Sequence, residues 1–132
     1  MNEADLLKLI NEQPFGIAEF TAKSGHYLFF NEKERLLRCL SRHQLQAVCV
    51  FDLFDEDERD TLKKLFAQCL KSSAKQAHFF DYKKGNRYFQ MRLVISDNGN
   101  IISTLTDTTD THTLNASYLV NQEYIKCLND AV

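Results

Sequence analysis

Hydrophobic positions along this 132-residue chain alternate with polar ones in some stretches and recur every three or four residues in others. The clearest alternation covers 87–95, where Phe89, Met91, Leu93 and Ile95 share one face and Tyr88, Gln90, Arg92 and Val94 the other. Segments 15–22, 26–30, 76–83 and about 100–106 also read as strands. Turn signals separate them: Ser24-Gly25, Lys84-Gly85-Asn86 and Asp97-Asn98-Gly99-Asn100. A two-residue loop of Lys84-Gly85 or of Gly85-Asn86 sets His78, Phe80 and Tyr82 beside Phe89, Met91 and Leu93. A two-residue Asn98-Gly99 turn then brings Ile102, Thr104 and Thr106 to that face. A three-residue loop reverses this last strand.

Helical sequence lies around and between the hairpins. A short helix over 3–11 ends near Pro14. Asn31 with Glu34 and Asp55 with Glu58 read as capping boxes, the second opening a helix that runs to about Lys71. In that helix Leu62, Leu65, Phe66, Cys69 and Leu70 follow the spacing of one buried face. Residues 41–54 are irregular, with short helical turns around Leu45 and over 51–54. Near the end, Leu114, Tyr118, Asn121, Ile125, Leu128 and Val132 form a heptad seam with one polar position. Such a seam suits a chain that continues into another domain; a terminal helix packing back on its own domain is the alternative.

Composition narrows the functional classes. Sixteen basic against eighteen acidic residues leave a net charge of -2, which offers no footprint for nucleic acid. The apolar runs are far too short for a membrane span, and the opening Met1-Asn2-Glu3-Ala4-Asp5 is acidic rather than signal-like. Cys39, Cys49, Cys69 and Cys127 are widely spaced, without a CxxC, as expected for reduced, partly buried thiols of a cytoplasmic protein. His26, His43, His78 and His112 are scattered, and neither a metal-ligand spacing nor a nucleophile motif is present in the sequence. Ten Phe and no Trp leave a ring-rich core to be explained.

The order strand, strand, short helices, long helix and three antiparallel strands resembles a PAS domain, and the resemblance covers roughly residues 4–113. It is carried by Phe15-Gly16-Ile17-Ala18 opening the first strand and by Asn31 ending the second. Phe51-Asp52-Leu53-Phe54-Asp55-Glu56-Asp57 is similar to the entry to the family's F helix. Lys84-Gly85-Asn86-Arg87 and Asp97-Asn98-Gly99 are similar to its later turns. Asp107-Thr108-Thr109-Asp110 resembles the closing Asp-Ile-Thr-Glu motif, with Asp110-Thr111-His112 as a second registration.

What the resemblance implies is an α+β fold: a PAS-like five-stranded antiparallel sheet with helices covering one face and a C-terminal signalling helix. It divides the chain into a cap helix (1–13), a core (14–110) and a linker of coiled-coil type (111–132). By resemblance the core encloses a small-molecule pocket and controls an attached signalling effector, such as a histidine kinase or diguanylate cyclase. The sequence departs from the family's known cofactor motifs. Val48-Cys49-Val50-Phe51-Asp52-Leu53 lacks the Asn, Arg and Leu-Gln of the flavin motif, and 55–71 contains no axial His for haem. The ligand is thus left unnamed, and no metal is expected.

Phe54, Phe66, Phe80, Tyr82, Phe89 and Met91 are the expected pocket lining, with His78, Thr104 and Thr106 as orienting hydrogen-bond groups. These rings can equally fill the core against one another. A homodimer is expected through Leu6, Leu7 and Ile10, the outer sheet face and the seam residues Leu114, Tyr118, Ile125 and Leu128. A ligand-free dimerisation module is therefore the second reading. A small cone-fold isomerase is the third; it needs an interior carboxylate, and Asp81 points away from Phe80 and Tyr82.

Overall fold

The computed structural model describes residues 2–73 and 76–111. Ten elements follow in order: α1 (Glu3–Asn11), β1 (Gly16–Phe20), β2 (Tyr27–Phe30), α2 (Glu32–Arg38), α3 (Arg42–Ala47), a 3-10 turn (Val50–Leu53), α4 (Glu56–Lys71), β3 (His78–Lys84), β4 (Arg87–Ile95) and β5 (Ile101–Asp107). The five strands form one antiparallel sheet in the order β2-β1-β5-β4-β3. Helices cover its inner face, so the expected α+β architecture is present. The heptad seam and the final cysteine lie outside the described residues.

Alternation decides which residues meet the helices. The inner face carries Ala18 and Phe20 of β1, Tyr27 of β2, and Phe80 and Tyr82 of β3. It continues through Phe89, Met91 and Leu93 of β4 to Ile101, Ser103 and Leu105 of β5, all buried. Leu62, Phe66 and Cys69 of α4 close over them, and burial pushes the Cys69 thiol up to about 11. Leu70, expected on that same helix face, is exposed instead. Cys39 is exposed and Cys49 half-buried, its Sγ donating to the Ser24 carbonyl at 2.6 Å.

The β3–β4 hairpin turns on Gly85-Asn86, one of the two loops expected, and pairs Phe80 with Met91 and Tyr82 with Phe89. The β4–β5 connection differs. Ser96 N donates to Asn100 O (2.8 Å) and Gly99 N to Ser96 O (3.0 Å), enclosing a three-residue loop whose Gly99 has φ +82°. That is the type I turn plus left-handed glycine of three-residue hairpins. The extra residue pairs odd with odd, Ile95 with Ile101 and Met91 with Leu105. It therefore turns Thr104 and Thr106 to the outer face, correcting their expected place in the pocket.

Capping also departs from expectation. Asn31 and Asp55 each accept from the N–H three residues on, at 2.9 Å, as N-caps do. The reciprocal half at Asn31 is absent, because its N–H goes to the Ile17 carbonyl and the Glu34 side chain turns into the core. The complete capping box is Ser41 with Gln44, opening α3. Among the described residues, no helix is long and apolar enough to cross a membrane.

α2 can lie this close to the sheet because Gly16 has no side chain. A Cβ there would stand 2.9 Å from the Glu34 Cα, nearer than side chains approach backbone. Gly16→Ala should therefore push α2 outward and lower stability by about 1–3 kcal/mol, measured by urea unfolding.

Candidate functional site

The site is built where α2 crosses the inner face of the sheet. Asn31 sets that crossing. Its Oδ1 accepts from Ile17 N and Glu34 N, both at 2.9 Å, while Nδ2 donates to the Ile10 and Phe15 carbonyls at 3.0 and 3.1 Å. One buried amide, with its donors and two acceptor positions all used, thus joins α1, β1 and α2.

From this anchored helix two charged side chains point inward, four residues apart. Glu34 is fully buried and Arg38 nearly so. Arg38 Nε donates to Glu34 Oε2 at 2.7 Å, and the Tyr27 hydroxyl donates to the same oxygen at 3.0 Å. Arg38 Nη1 donates to the Tyr82 hydroxyl at 2.7 Å, and Nη2 meets the Met91 Sδ at 3.5 Å. The guanidinium also lies 5.7 Å from the Phe54 ring centroid. Burial pushes the Tyr82 phenol up to about 12, although Arg38 opposes this, and raises Tyr27 further still. Burial works against the Arg38 charge, but Tyr27, Glu34 and Tyr82 together hold its pKa above the ordinary arginine value.

Neither Glu34 nor Arg38 was singled out in the sequence as a site residue. Their i, i+4 spacing was the available signal, and on a helix it ordinarily marks a solvated pair. Here the helix is inverted, with Leu36 exposed and the charges inside. The core therefore does contain an interior carboxylate, the element that the isomerase reading lacked. It sits against an arginine and a phenol rather than in the isolated apolar pocket such chemistry uses.

Around this polar pair the rings pack on one another. Phe54 meets Phe80 and Tyr82 edge-on, with centroids 5.4 and 4.8 Å apart, and Tyr82 stacks on Phe89 at 5.2 Å. Phe66 belongs to a second group, 5.9 Å from Phe20 and 4.9 Å from Phe51. The structure thus gathers Phe54, Phe80, Tyr82, Phe89 and Met91 around Arg38, with Phe66 one layer away. His78 stands at the far end of β3, half-buried, where its Nε2 is 2.8 Å from the Ser72 Oγ. A cleft of about 430 Å³ opens beside Tyr82 and Phe89, bordered also by Tyr88 and Thr108. No group of three possible metal-binding side chains occurs among the described residues.

The closing motif ties β5 to the start of β4. Arg87 Nε donates to Asp107 Oδ2 at 2.6 Å, Thr109 N donates to Asp107 Oδ1 at 2.9 Å, and Tyr88 N donates to Thr109 Oγ1 at 2.8 Å. Thr108 N bonds the Tyr88 carbonyl at 2.8 Å. Burial alone would raise the Asp107 carboxyl, but the bonds from Arg87 and Thr109 outweigh it and hold it at about 2. The interactions use Asp107, Thr108 and Thr109; His112 of the second registration lies outside the described residues.

The same strand order and helix placement recur in solved structures. The PAS domain of an HTR-like protein from Haloarcula marismortui superposes with a TM-score of 0.61 over 79% of this chain and 95% of that one, at 12% identity. This chain has the PAS fold. A domain of a sensory box sensor histidine kinase/response regulator from Geobacter sulfurreducens gives 0.61 over 79% and 92%, at 15% identity. The PAS domain of the Cronobacter turicensis RpfR quorum-sensing receptor, in complex with BDSF, gives 0.59 over 74% and 97%, at 18% identity. No protein-family profile matches the sequence, and no curated protein does. Within the PAS fold, the Glu34–Arg38 pair lies between a helix and the sheet, and the Asp107 corner where β5 ends.

Two measurements probe these features. Arg38→Ala should destabilise the domain by about 3–5 kcal/mol, because it leaves the Glu34 charge buried and unpaired. The double variant Glu34→Leu/Arg38→Met should recover most of that loss in urea unfolding. Asp107, lowered in the folded state, contributes stability above its unfolded value that is lost as pH falls through the folded one. Stability should therefore drop between about pH 4 and pH 2 in the native protein, and Asp107→Asn should flatten that part of the profile.

Proposed function

We propose that this chain is a sensory PAS domain, which binds a small molecule within its core and thereby controls an attached signalling effector of histidine kinase or diguanylate cyclase type. The observation that carries this reading is the buried Glu34–Arg38–Tyr82 network inside a ring-lined core. Burying two charges costs several kcal/mol per ion, and apolar residues of similar volume would fill the space at little loss. A polar group retained there at that cost is accounted for by something it must recognise. The fold's likeness to a quorum-sensing receptor domain solved with its ligand supports the same reading. The domain performs no catalysis of its own in this proposal, acts in the cytoplasm, and takes its ligand among Phe54, Phe80, Tyr82, Phe89 and Met91, with Phe66 behind them.

One specific observation favours a ligand-free dimerisation module. None of the residues of α1 is buried, and Leu6, Leu7 and Leu9 are all exposed on it, with Ile10 half-buried. Leu28, Phe79 and Ile102 add exposed apolar surface on the outer sheet face. A second copy docking on α1 would cover those leucines, in keeping with a homodimer.

The two readings separate by measurement. Protein purified from its host without dialysis should release a small molecule on denaturation, seen by mass spectrometry, and a metabolite panel should raise its melting temperature. A mass equal to the polypeptide and a melting temperature fixed across the panel would leave the dimerisation module, with Leu6→Glu/Leu7→Glu converting dimer to monomer in sedimentation.

A further inference from the structure

Two edges bound the sheet, β2 and β3, and they differ in kind. β2 has four residues, and its register with β1 shifts between Glu19 and Phe20. β3 has seven, paired with β4 without a break from His78 to Lys84. Short or irregular edges resist further pairing, whereas a long regular one presents a row of open N–H and C=O groups. Among the described residues, no strand pairs with the outer edge of β3.

A groove of about 470 Å³ follows that edge. It is bordered by Phe79, Phe80 and Asp81, consecutive residues whose side chains alternate between the two faces of the sheet. A space that touches both faces of one strand lies along its edge rather than over either side. The other wall is α4. Ser72 Oγ, just past that helix, is 2.8 Å from Nε2 of His78 at the start of β3, so the helix runs back along the strand. Leu65 therefore stands toward the Phe79 end of the groove, and Asp57 and Glu58 toward the Asp81 end. The cleft beside Tyr82 also borders Asp81 and Lys83, so open space accompanies β3 from Phe79 to Lys83.

The groove is apolar at one end and acidic at the other. Phe79 is 51% exposed and Leu65 half-buried. Opposite them gather three carboxylates, and among the described residues no lysine or arginine borders the groove. Burial, with Asp55 beside it, raises the Glu58 carboxyl above its ordinary value, as crowded negative charge does. Asp81 receives one neutral bond, from Gln90 Nε2 at 3.0 Å. A cation placed there relieves the crowding.

We propose that the β3 edge receives a sixth strand from a partner protein: an extended segment with apolar side chains at one end and lysine or arginine at the other. Its length is about five residues, matching the open stretch from Phe79 to Lys83. Main-chain bonds to β3 supply affinity, and the two ends of the groove set direction. An antiparallel guest places its basic residues first, opposite Asp81, and its apolar residues last, opposite Phe79. An acidic guest meets like charge and is excluded. The proposal does not depend on the sensory reading.

Blocked pentapeptides test it on the full chain. They are acetyl-Lys-Lys-Thr-Val-Ile-amide, its Glu-Glu counterpart, and two versions of the lysine peptide with proline at the third or at the fourth position. The lysine peptide should shift the β3 amide resonances and slow their hydrogen exchange about tenfold at saturation. The Glu-Glu peptide should bind about tenfold more weakly or worse. Neighbouring N–H groups of a strand point to opposite sides, so one of the two proline versions removes a bond to β3 and should lose the protection. Asp57→Asn/Asp81→Asn, at two exposed positions, should weaken the lysine peptide severalfold and remove most of its salt dependence. Equal binding of the lysine and glutamate peptides, two proline versions that bind as well as the parent, or shifts confined to residues outside β3 and α4 would each overturn the proposal. So would a lysine peptide that does not bind. Exchange of the β3 amides that slows with protein concentration alone would place a second copy of this chain on the edge and overturn the assignment to a partner protein.

Discussion

The structure depends on the burial of one ion pair. Glu34 and Arg38 are held between α2 and the sheet, and their mutual attraction offsets desolvation only while the geometry around them is kept. Several otherwise unrelated features serve that geometry. Gly16 lets the helix backbone come down, Asn31 fixes where the helix starts, and Tyr27 and Tyr82 supply hydroxyls to the two charges. Weakening any of these exposes the same liability, an incompletely paired charge in a low-dielectric interior. Ordinary apolar packing would not need so many fixed partners, and this makes the pair a constraint on β1, β2, β3 and α2 together.

The rest of the core is arranged around that constraint. One ring group, Phe54, Phe80, Tyr82 and Phe89, borders the guanidinium, which lies over the Phe54 face and near that of Tyr82. The other, Phe20, Phe51 and Phe66, packs beneath α4, with Phe20 also against Tyr27 and Lys63 over the Phe51 ring. Six of the ten phenylalanines are thus divided between a layer beneath α4 and a layer, the one with Phe54 and Tyr82, that borders the buried guanidinium. The first contributes apolar area, at roughly 25 cal/mol per Å² buried.

Most of the fold could be read from the chain because its signals are local. The alternation of 87–95 and the Gly85-Asn86 turn specify the β3–β4 register, and the apolar spacing of 62–69 specifies the α4 face. The register of β5 could not be read the same way. A single residue in the Asp97-Asn98-Gly99 loop decides its parity, and both loop lengths suit that sequence, so Thr104 and Thr106 were expected on the wrong face. The inward face of α2 could not be read for a different reason. Its charges face inward because partners distant in sequence, Tyr82 at 44 residues and Met91 at 53, wait on the sheet to meet them. Helix periodicity carries no record of such partners. The ring residues of the site were legible as apolar positions, whereas its polar centre exists only in the folded chain.

The sheet register also connects the two regions of interest. Tyr82 pairs with Phe89 across β3 and β4, and Phe89 pairs with Asp107 across β4 and β5. These three residues form one row, running from the hydroxyl that receives Arg38 to the carboxylate that receives Arg87. Tyr82, which receives Arg38, also stacks on Phe89 at 5.2 Å, so packing and register together link the core to the strand end. At that end three hydrogen bonds, from Arg87 and Thr109 onto Asp107 and from Tyr88 onto Thr109, converge within two residues of where β5 stops. The row is contiguous packing between the core and the end of β5; coupling along it would need a second arrangement that a ligand contacts differently, whatever the distance spanned.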